Sequence, residues 1–401
     1  MIWYILGFIL LLSVVNAFSI SASSMRASSS RIMMAGKKIL LIQNKGGGHG
    51  EIGYQVCKTL LAEKEVDITL VQDDAAKEDK LPFSCYGELE AAGVKIVPTS
   101  LDDKTLTAAD LGGETFDYII DNWSKSNDDF NFVKSLLIKP ESLEQYLFVS
   151  SAGMYLTGSG LQPHIETDEV KADNGPRTVE VACEASGLPY TFMRPQYIYG
   201  PKMSKRHLDY YLGRAMRQLP IPIPMSGEQL VCLTHSEDVA SLIVAALGHP
   251  AAMNEAFNCG SDRFVSYMGL AELINEACGN AASTNKYLFF DPKDFDGWSM
   301  SDPVFPFRRD TFITSVDKAK VLLGWAPAHT LEDDVGWILQ DYAETGGLEK
   351  PWTEKDLKCD LEILASKDHQ FMFTYPFFDD ESVNPESMPY SFESSSEFSE
   401  K

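Results

Sequence analysis

The chain has 401 residues, with 34 Lys and Arg against 58 Asp and Glu, a formal net charge of −24. That balance excludes binding to nucleic acid or an anionic membrane through the surface as a whole, and leaves only a local basic patch for such a partner. Length and a hydrophobic content of 44% suit one large α/β unit or two to three smaller domains. The seven cysteines (57, 85, 183, 232, 259, 278 and 359) form no Cys-x-x-Cys pair and no Cys/His run at zinc spacing, so reduced thiols and no structural metal are expected.

The first elements in chain order belong to a leader. Ile2 to Val15 is almost wholly apolar, and Val15-Asn16-Ala17 supplies small residues where a signal peptidase reads, so residues 1–17 read as a signal peptide. The stretch is short for a membrane span, and none is expected in the mature form. Residues 18–36 hold seven serines, two arginines and no acid, the composition of a transit segment. The pair, with Phe18 directly after the expected cut, resembles the two-part plastid leader of algae with secondary plastids. Secretion is the alternative; a reducing stroma agrees with the unpaired thiols.

From Lys37 the pattern alternates strand and helix. Lys38–Gln43 reads as a buried strand that stops at glycine, Ile52–Leu61 as a helix, and Val66–Gln72 as the second strand. Val94–Pro98, Tyr118–Asp121 and Tyr146–Ser151 follow as strands, and such alternation builds a parallel sheet covered on both faces. After Arg194-Pro195 prolines cluster at 220, 222 and 224, and helical patterns recur at Ser236–Leu247, Met268–Cys278 and Val316–Leu323. The expected class is α/β, a doubly wound parallel Rossmann sheet over residues 37–350. A smaller C-terminal α/β substrate lobe is drawn mainly from 195–230 and 255–335. Residues 351–401 read as an acidic, serine-rich tail with a disordered end.

Gly47, Gly50 and Gly53 fall between a predicted strand and a predicted helix. There glycines permit a tight turn, close approach to a pyrophosphate and close helix–strand packing, with the helix N-terminus facing the phosphate. Asp73 lies 20 positions beyond Gly53 at the end of the second strand, where a ribose carboxylate belongs. NAD(P) is the cofactor this pattern points to. His49 reads as a loop residue inside the turn, and Tyr54 and Lys58, at Y-x-x-x-K spacing on the first helix, as surface.

Val149-Ser150-Ser151-Ala152-Gly153-Met154-Tyr155 resembles the active-site strand of extended short-chain dehydrogenase/reductases. Met193 to Pro201 (MRPQYIYGP), His235-Ser236-Glu237-Asp238-Val239-Ala240 and Lys318–Trp325 resemble their later landmarks, over residues 37 to roughly 345. The resemblance implies Ser150 at the cofactor and Ser151 as the proton-transferring serine. Its tyrosine and lysine partners should precede Glu180, the lysine by four residues, and those positions hold Ala172 and Pro176. Neither side chain titrates, so hydride chemistry is not expected. Tyr155 with Lys171 is the rearranged pair to consider; a packed strand-end residue is the ordinary reading of Tyr155. Where the family places an aspartate after the third strand, this chain has Thr99-Ser100-Leu101.

Gly46-Gly47-Gly48-His49, the SSAGMY strand, Pro163-His164, Asp168 to Asp173, Arg194 to Tyr197, Phe257-Asn258-Cys259, Asp291-Pro292-Lys293 and Phe305–Arg309 are similar to the chloroplast stem-loop-binding proteins. That resemblance implies a plastid RNA partner, ribosomal or transcription complexes, homo- or hetero-oligomers with family members, and an Mg²⁺-dependent endoribonuclease activity. No nuclease residues can be singled out, although Asp168, Glu169 and Asp173 are acids that can hold Mg²⁺.

Unpaired RNA needs local positive charge and stacking surfaces. Pro201–Arg217 carries Lys202, Lys205, Arg206, Arg214 and Arg217 against the single acid Asp209, with Tyr210 among them, and is the expected RNA-binding segment. Arg308 and Arg309 form a second, weaker one. An active NAD(P)-dependent epimerase, dehydratase or reductase on a nucleotide sugar is the first alternative function, and a noncatalytic redox-sensing scaffold the second.

Overall fold

β1 (Lys37–Gln43), β2 (Val66–Asp73), β3 (Lys95–Thr99), β4 (Tyr118–Asn122) and β5 (Gln145–Val149) alternate with α1 (Gly47–Glu63), α2 (Tyr86–Ala91) and α3 (Asn127–Ser135). Then come α4 (Gly175–Ser186), β6 (Tyr190–Pro195), β7 (Ile198–Tyr199), α5 (Asp209–Ala215), β8 (Ile221–Pro224), β9 (Leu230–Val231), β10 (Thr234–His235) and α6 (Ser236–Ala246). The chain continues through β11 (Glu255–Cys259), β12 (Val265–Ser266), α7 (Tyr267–Ala277), β13 (Tyr287–Phe290), α8 (Asp317–Leu323) and α9 (Leu331–Glu344). This computed structural model describes residues 34–63, 65–157, 161–203, 207–282, 287–292 and 305–350. All but the last three residues of the expected leader, and the whole tail, lie outside them. Among the described residues no helix is long and apolar enough to cross a membrane.

The sheet has seven strands in the order β11-β6-β5-β4-β1-β2-β3. The pairs from β3 to β6 are parallel, with Gln43 opposite Asn122 and Asp73 opposite Thr99. The order reverses between β1 and β4, as in a doubly wound sheet, and ligands of such sheets bind outside the carboxyl ends of the strands there. β4 and β5 are buried at every position, as central parallel strands covered on both faces are. Within β4, Asp121 is wholly buried; its carboxylate accepts from the Tyr146 hydroxyl and from the amides of Trp123 and Ser124, and burial pushes its pKa up.

Two compact units emerge. Of the described residues, unit 1 draws on 34–150, 172–193 and 240–256, and unit 2 on 151–171, 194–239 and 257–350. Residues 151–171 thus belong with the second unit, although their sequence does not mark them as part of a small lobe. Leu40, Ile42, Phe130, Tyr146, Phe148, Val179 and Phe192 centre the core of unit 1. Unit 2 is built from two-stranded pairs (β7 with β10, β9 with β12, β8 with β13) around Tyr211, Tyr267, Phe305 and Phe307. Tyr267 and Phe305 meet edge to face at 4.9 Å, and Tyr267 and Phe307 stack at 5.6 Å. Ser266 and Thr330 cap α7 and α9 by accepting the amides of Gly269 and Asp333.

Candidate functional site

In unit 1 the glycine segment is helix rather than turn. α1 begins at Gly47, five residues before the expected start at Ile52, and the Gly50 amide already donates to the Gly46 carbonyl at 2.8 Å. None of Gly46, Gly50 and Gly53 uses left-handed backbone; two of them serve packing. A Cβ on Gly50 would stand 2.7 Å from Phe83, and one on Gly53 1.8 Å from Oε1 of the buried Gln43. His49 therefore lies in the first helical turn, not in a loop. Asn122 donates through Nδ2 to the His49 carbonyl and to Gln43 Oε1, so its Oδ1 accepts from His49 Nδ1 at 2.8 Å. The start of α1 lies at the switch point of the sheet, where the positive end of the helix dipole favours an anion such as a phosphate.

The expected ribose carboxylate, Asp73, ends β2 but is 3% exposed. Its Oδ1 accepts the Ala75 amide, and its Oδ2 lies 3.9 Å from the Lys45 ammonium, which is itself bonded to Asp102 at 2.6 Å. Ser150 is buried and gives its hydroxyl to Glu180, whose other oxygen takes Arg177. A dinucleotide fits these residues at its phosphates, on the first turn of α1. At its ribose it must share Asp73 with Lys45.

The positions that the resemblance assigns to the proton-transferring tyrosine and lysine hold Ala172 and Pro176. Pro176 occupies the first turn of α4, where a proline is accommodated because that amide has no intrahelical acceptor, and Ala172 precedes the helix. In unit 2, Ser151 accepts the Gly153 amide at 3.0 Å and caps a single helical turn. Tyr155 is fully buried, donates to Asn258 Oδ1, accepts from Arg194 Nη1 and stacks on His164 at 4.9 Å. It is a packed residue, as its ordinary reading had it. Tyr54 is not surface: it is 1% exposed and donates to Glu88, because α1 turns that side inward, with Lys58 over the ring at 5.4 Å.

The basic segment is divided by its packing. Arg214 is 2% exposed, lies 3.9 Å over the Tyr210 ring and donates to the Tyr210 carbonyl. Arg217 spends its guanidinium on the carbonyls of Gly213, Gly347 and Leu348. Tyr210 donates to the Pro222 carbonyl and packs edge-on to Tyr211 and Phe305. These three hold unit 2 together: Tyr210 and Arg214 on α5, and Arg217 just beyond its end. Lys202 is half-buried in left-handed backbone, and Lys205 and Arg206 lie outside the described residues. His207 stacks on Phe307, the neighbour in sequence of Arg308 and the exposed Arg309. Arg308 donates through its backbone amide to the Tyr197 hydroxyl and through Nη2 to the Gly153 carbonyl, and lies over Phe312 at 3.8 Å. The two basic candidates are thus neighbours at their ends, which their separation in sequence conceals.

Asp168 is taken up by His164 Nδ1 at 2.8 Å. Among the described residues, the group of three His or acidic side chains with converging ligand atoms is His235, Glu237 and His329. The two imidazoles lie face to face, 3.7 Å apart at 8°, so their in-plane lone pairs run parallel and do not meet at one ion. His235 Nδ1 moreover accepts the Glu237 amide, and His329 Nδ1 faces Asp334. Burial, and then the adjacent His329, push the His235 pKa down to about 4. The unfolded chain binds this proton near its ordinary 6.5, so stability is complete above that pH and falls as pH drops toward 4. Urea unfolding should show up to about 3 kcal/mol lost over this window, and His235→Phe should flatten the slope. An unchanged slope in the variant would assign the loss to other groups.

Residues 46–260 match the model of the NAD dependent epimerase/dehydratase family. The chloroplast stem-loop binding protein of 41 kDa b from Arabidopsis thaliana is 31% identical over 336 residues, covering 82% of this chain and 85% of that protein. An uncharacterized UDP-glucose epimerase of Bacillus subtilis, YtcB, is 24% identical over 318 residues, 72% of this chain and 93% of its own. Among solved structures, dTDP-glucose 4,6-dehydratase of Bacillus anthracis in complex with NAD superposes with a TM-score of 0.60 at 15% identity, over 77% of this chain and 97% of that one. UDP-glucose 4-epimerase of Thermotoga maritima with UDP-glucose does so with a TM-score of 0.58 at 19% identity, over 77% and 99%. The chain belongs to the NAD dependent epimerase/dehydratase family and, within it, to the group of the chloroplast stem-loop binding proteins.

Proposed function

We propose that the protein is a plastid RNA-binding protein that keeps the epimerase scaffold and has given up its hydride chemistry. The observation that carries this reading is the pair Ala172 and Pro176, which leaves no phenol and no ammonium where the family's proton transfer needs them. The kinship with a plastid stem-loop binder supports the RNA and the compartment. The dinucleotide, held at the first turn of α1 and at Asp73, serves structure or regulation. When bound it supplies a hydride acceptor, but Ser151 alone cannot pass the accompanying proton.

RNA meets the chain at Lys202, Lys205, Arg206 and Arg309, not at Arg214 and Arg217. The test is a salt series on a plastid stem-loop RNA with the mature protein. Lys205→Glu, Arg206→Glu and Arg309→Glu together should weaken binding roughly tenfold or more. They should also flatten the log K against log salt slope by about 2, since each phosphate contact contributes about 0.7–0.9. Unchanged affinity and slope would remove this surface. In the same preparations, UDP-glucose with NAD should give no epimerised product, and turnover would restore the epimerase reading. Cleavage of the RNA that depends on added Mg²⁺ is the readout for nuclease activity.

A further inference from the structure

Unit 2 contains a cavity of about 290 Å³ that neither the dinucleotide site nor the basic surface uses. Leu233, Val265, Leu273 and Leu331 give it apolar walls. Phe264 borders it, 37% exposed, and is the one aromatic ring among the exposed large apolar side chains of the described residues. Glu272 and Glu276 line it from α7; spaced four apart, they share one helical face, and both are exposed. The rim's arginine, Arg263, is ion-paired with Glu332.

These features constrain an occupant. The volume falls just below the roughly 300–1,000 Å³ of drug-sized sites, so it takes one flat ring system rather than a long ligand. Phe264 asks for a face to stack on, and ionised carboxylates only accept hydrogen bonds, so the ligand must present N–H donors at its edge. A nucleobase meets all three conditions. Guanine meets them best, because its adjacent N1–H and N2–H groups engage a carboxylate in two parallel bonds, whereas uracil brings one N–H flanked by two acceptors. Phosphates are repelled by Glu272 and Glu276, so the cavity selects a base while affinity is supplied elsewhere, the usual division between base and phosphate contacts.

We propose that this cavity is a nucleobase pocket that takes an unpaired guanine flanking the stem of the bound RNA; the proposal rests on the RNA-binding reading for the source of the base. The experiment is ligand-observed NMR titration of the full-length protein with guanosine, adenosine, cytidine, uridine and N-acetyl-arginine amide. Guanosine should bind at least about fivefold more tightly than uridine. Phe264→Ala should weaken it by roughly tenfold, the effect of losing one stacking platform. Glu272→Gln with Glu276→Gln should abolish the preference for guanosine while stacking persists, and exposed positions of this kind leave folding intact. Equal binding of all nucleosides, no binding, or indifference to Phe264→Ala overturns the pocket. Preferential binding of the arginine amide assigns it instead to a basic partner protein. A stem-loop RNA that binds when guanosine does not would sink the pocket alone; guanosine binding without RNA affinity would sink the RNA reading alone.

Discussion

Arg214→Glu should unfold unit 2, whereas Arg309→Glu should leave its stability within about 0.5 kcal/mol. The two arginines look alike in the sequence. Arg214 is 2% exposed, with its guanidinium 3.9 Å from the Tyr210 ring, an aromatic that packs in turn on Tyr211 and Phe305. A desolvated cation–π contact contributes about 2 kcal/mol, and the buried aliphatic stem adds packing, so even Arg214→Ala should cost about 3 kcal/mol. Glutamate there would bury a carboxylate against the same ring face, and a loss of more than about 4 kcal/mol follows. Thermal unfolding by circular dichroism measures both. A mild Arg214→Glu would mean that this side chain leaves the interior readily and returns it to the RNA-binding set. This comparison has to precede any charge-reversal scan for RNA contacts, since an unfolded variant and a lost contact give the same binding curve.

Gly53→Ala should destabilise unit 1 by about 2–4 kcal/mol, in opposition to the gain of about 1 kcal/mol that alanine brings to an unstrained helical site. The new Cβ would lie 1.8 Å from Gln43 Oε1. Gln43 is fully buried, accepts from Asn122 and donates to the Asn44 carbonyl, so moving it aside breaks buried hydrogen bonds worth about 1–3 kcal/mol each when left unmade. Gly50→Ala meets Phe83 and Pro82 at 2.7 and 2.9 Å, and should behave similarly. The measurement is urea unfolding of each variant with and without NAD. If Gly53→Ala keeps full stability and loses only NAD affinity, the glycine serves the phosphate, not the packing. Loss of stability without NAD identifies packing as its first role.

The strands were legible because central parallel strands are buried on both faces and therefore read as continuous apolar runs. β1, β2, β4 and β5 lie within a residue or two of where Lys38–Gln43, Val66–Gln72, Tyr118–Asp121 and Tyr146–Ser151 place them. The start of α1 was not legible. Glycines are the weakest helix formers apart from proline, and the first turn of α1 is held by long-range contacts, Asn122 and Tyr86 donating to the His49 and Gly50 carbonyls. Tyr54 was misplaced for a related reason: which side of α1 faces inward depends on what packs against it, here Glu88 and Tyr86 from the next helix.

By itself, then, the sequence determined the alternation of strand and helix, which is written in local periodicity, and it carried the motifs on which the family resemblance rests. Only the tertiary structure decided which arginines are exposed and which hold the core, since Arg214 and Arg309 differ in their neighbours and not in their chemistry. It also decided that Phe264, Glu272, Glu276 and Leu331 border one cavity. Residues that meet across a fold share no periodic signal, and burial, which sets both charge and access, is a property of the packed chain.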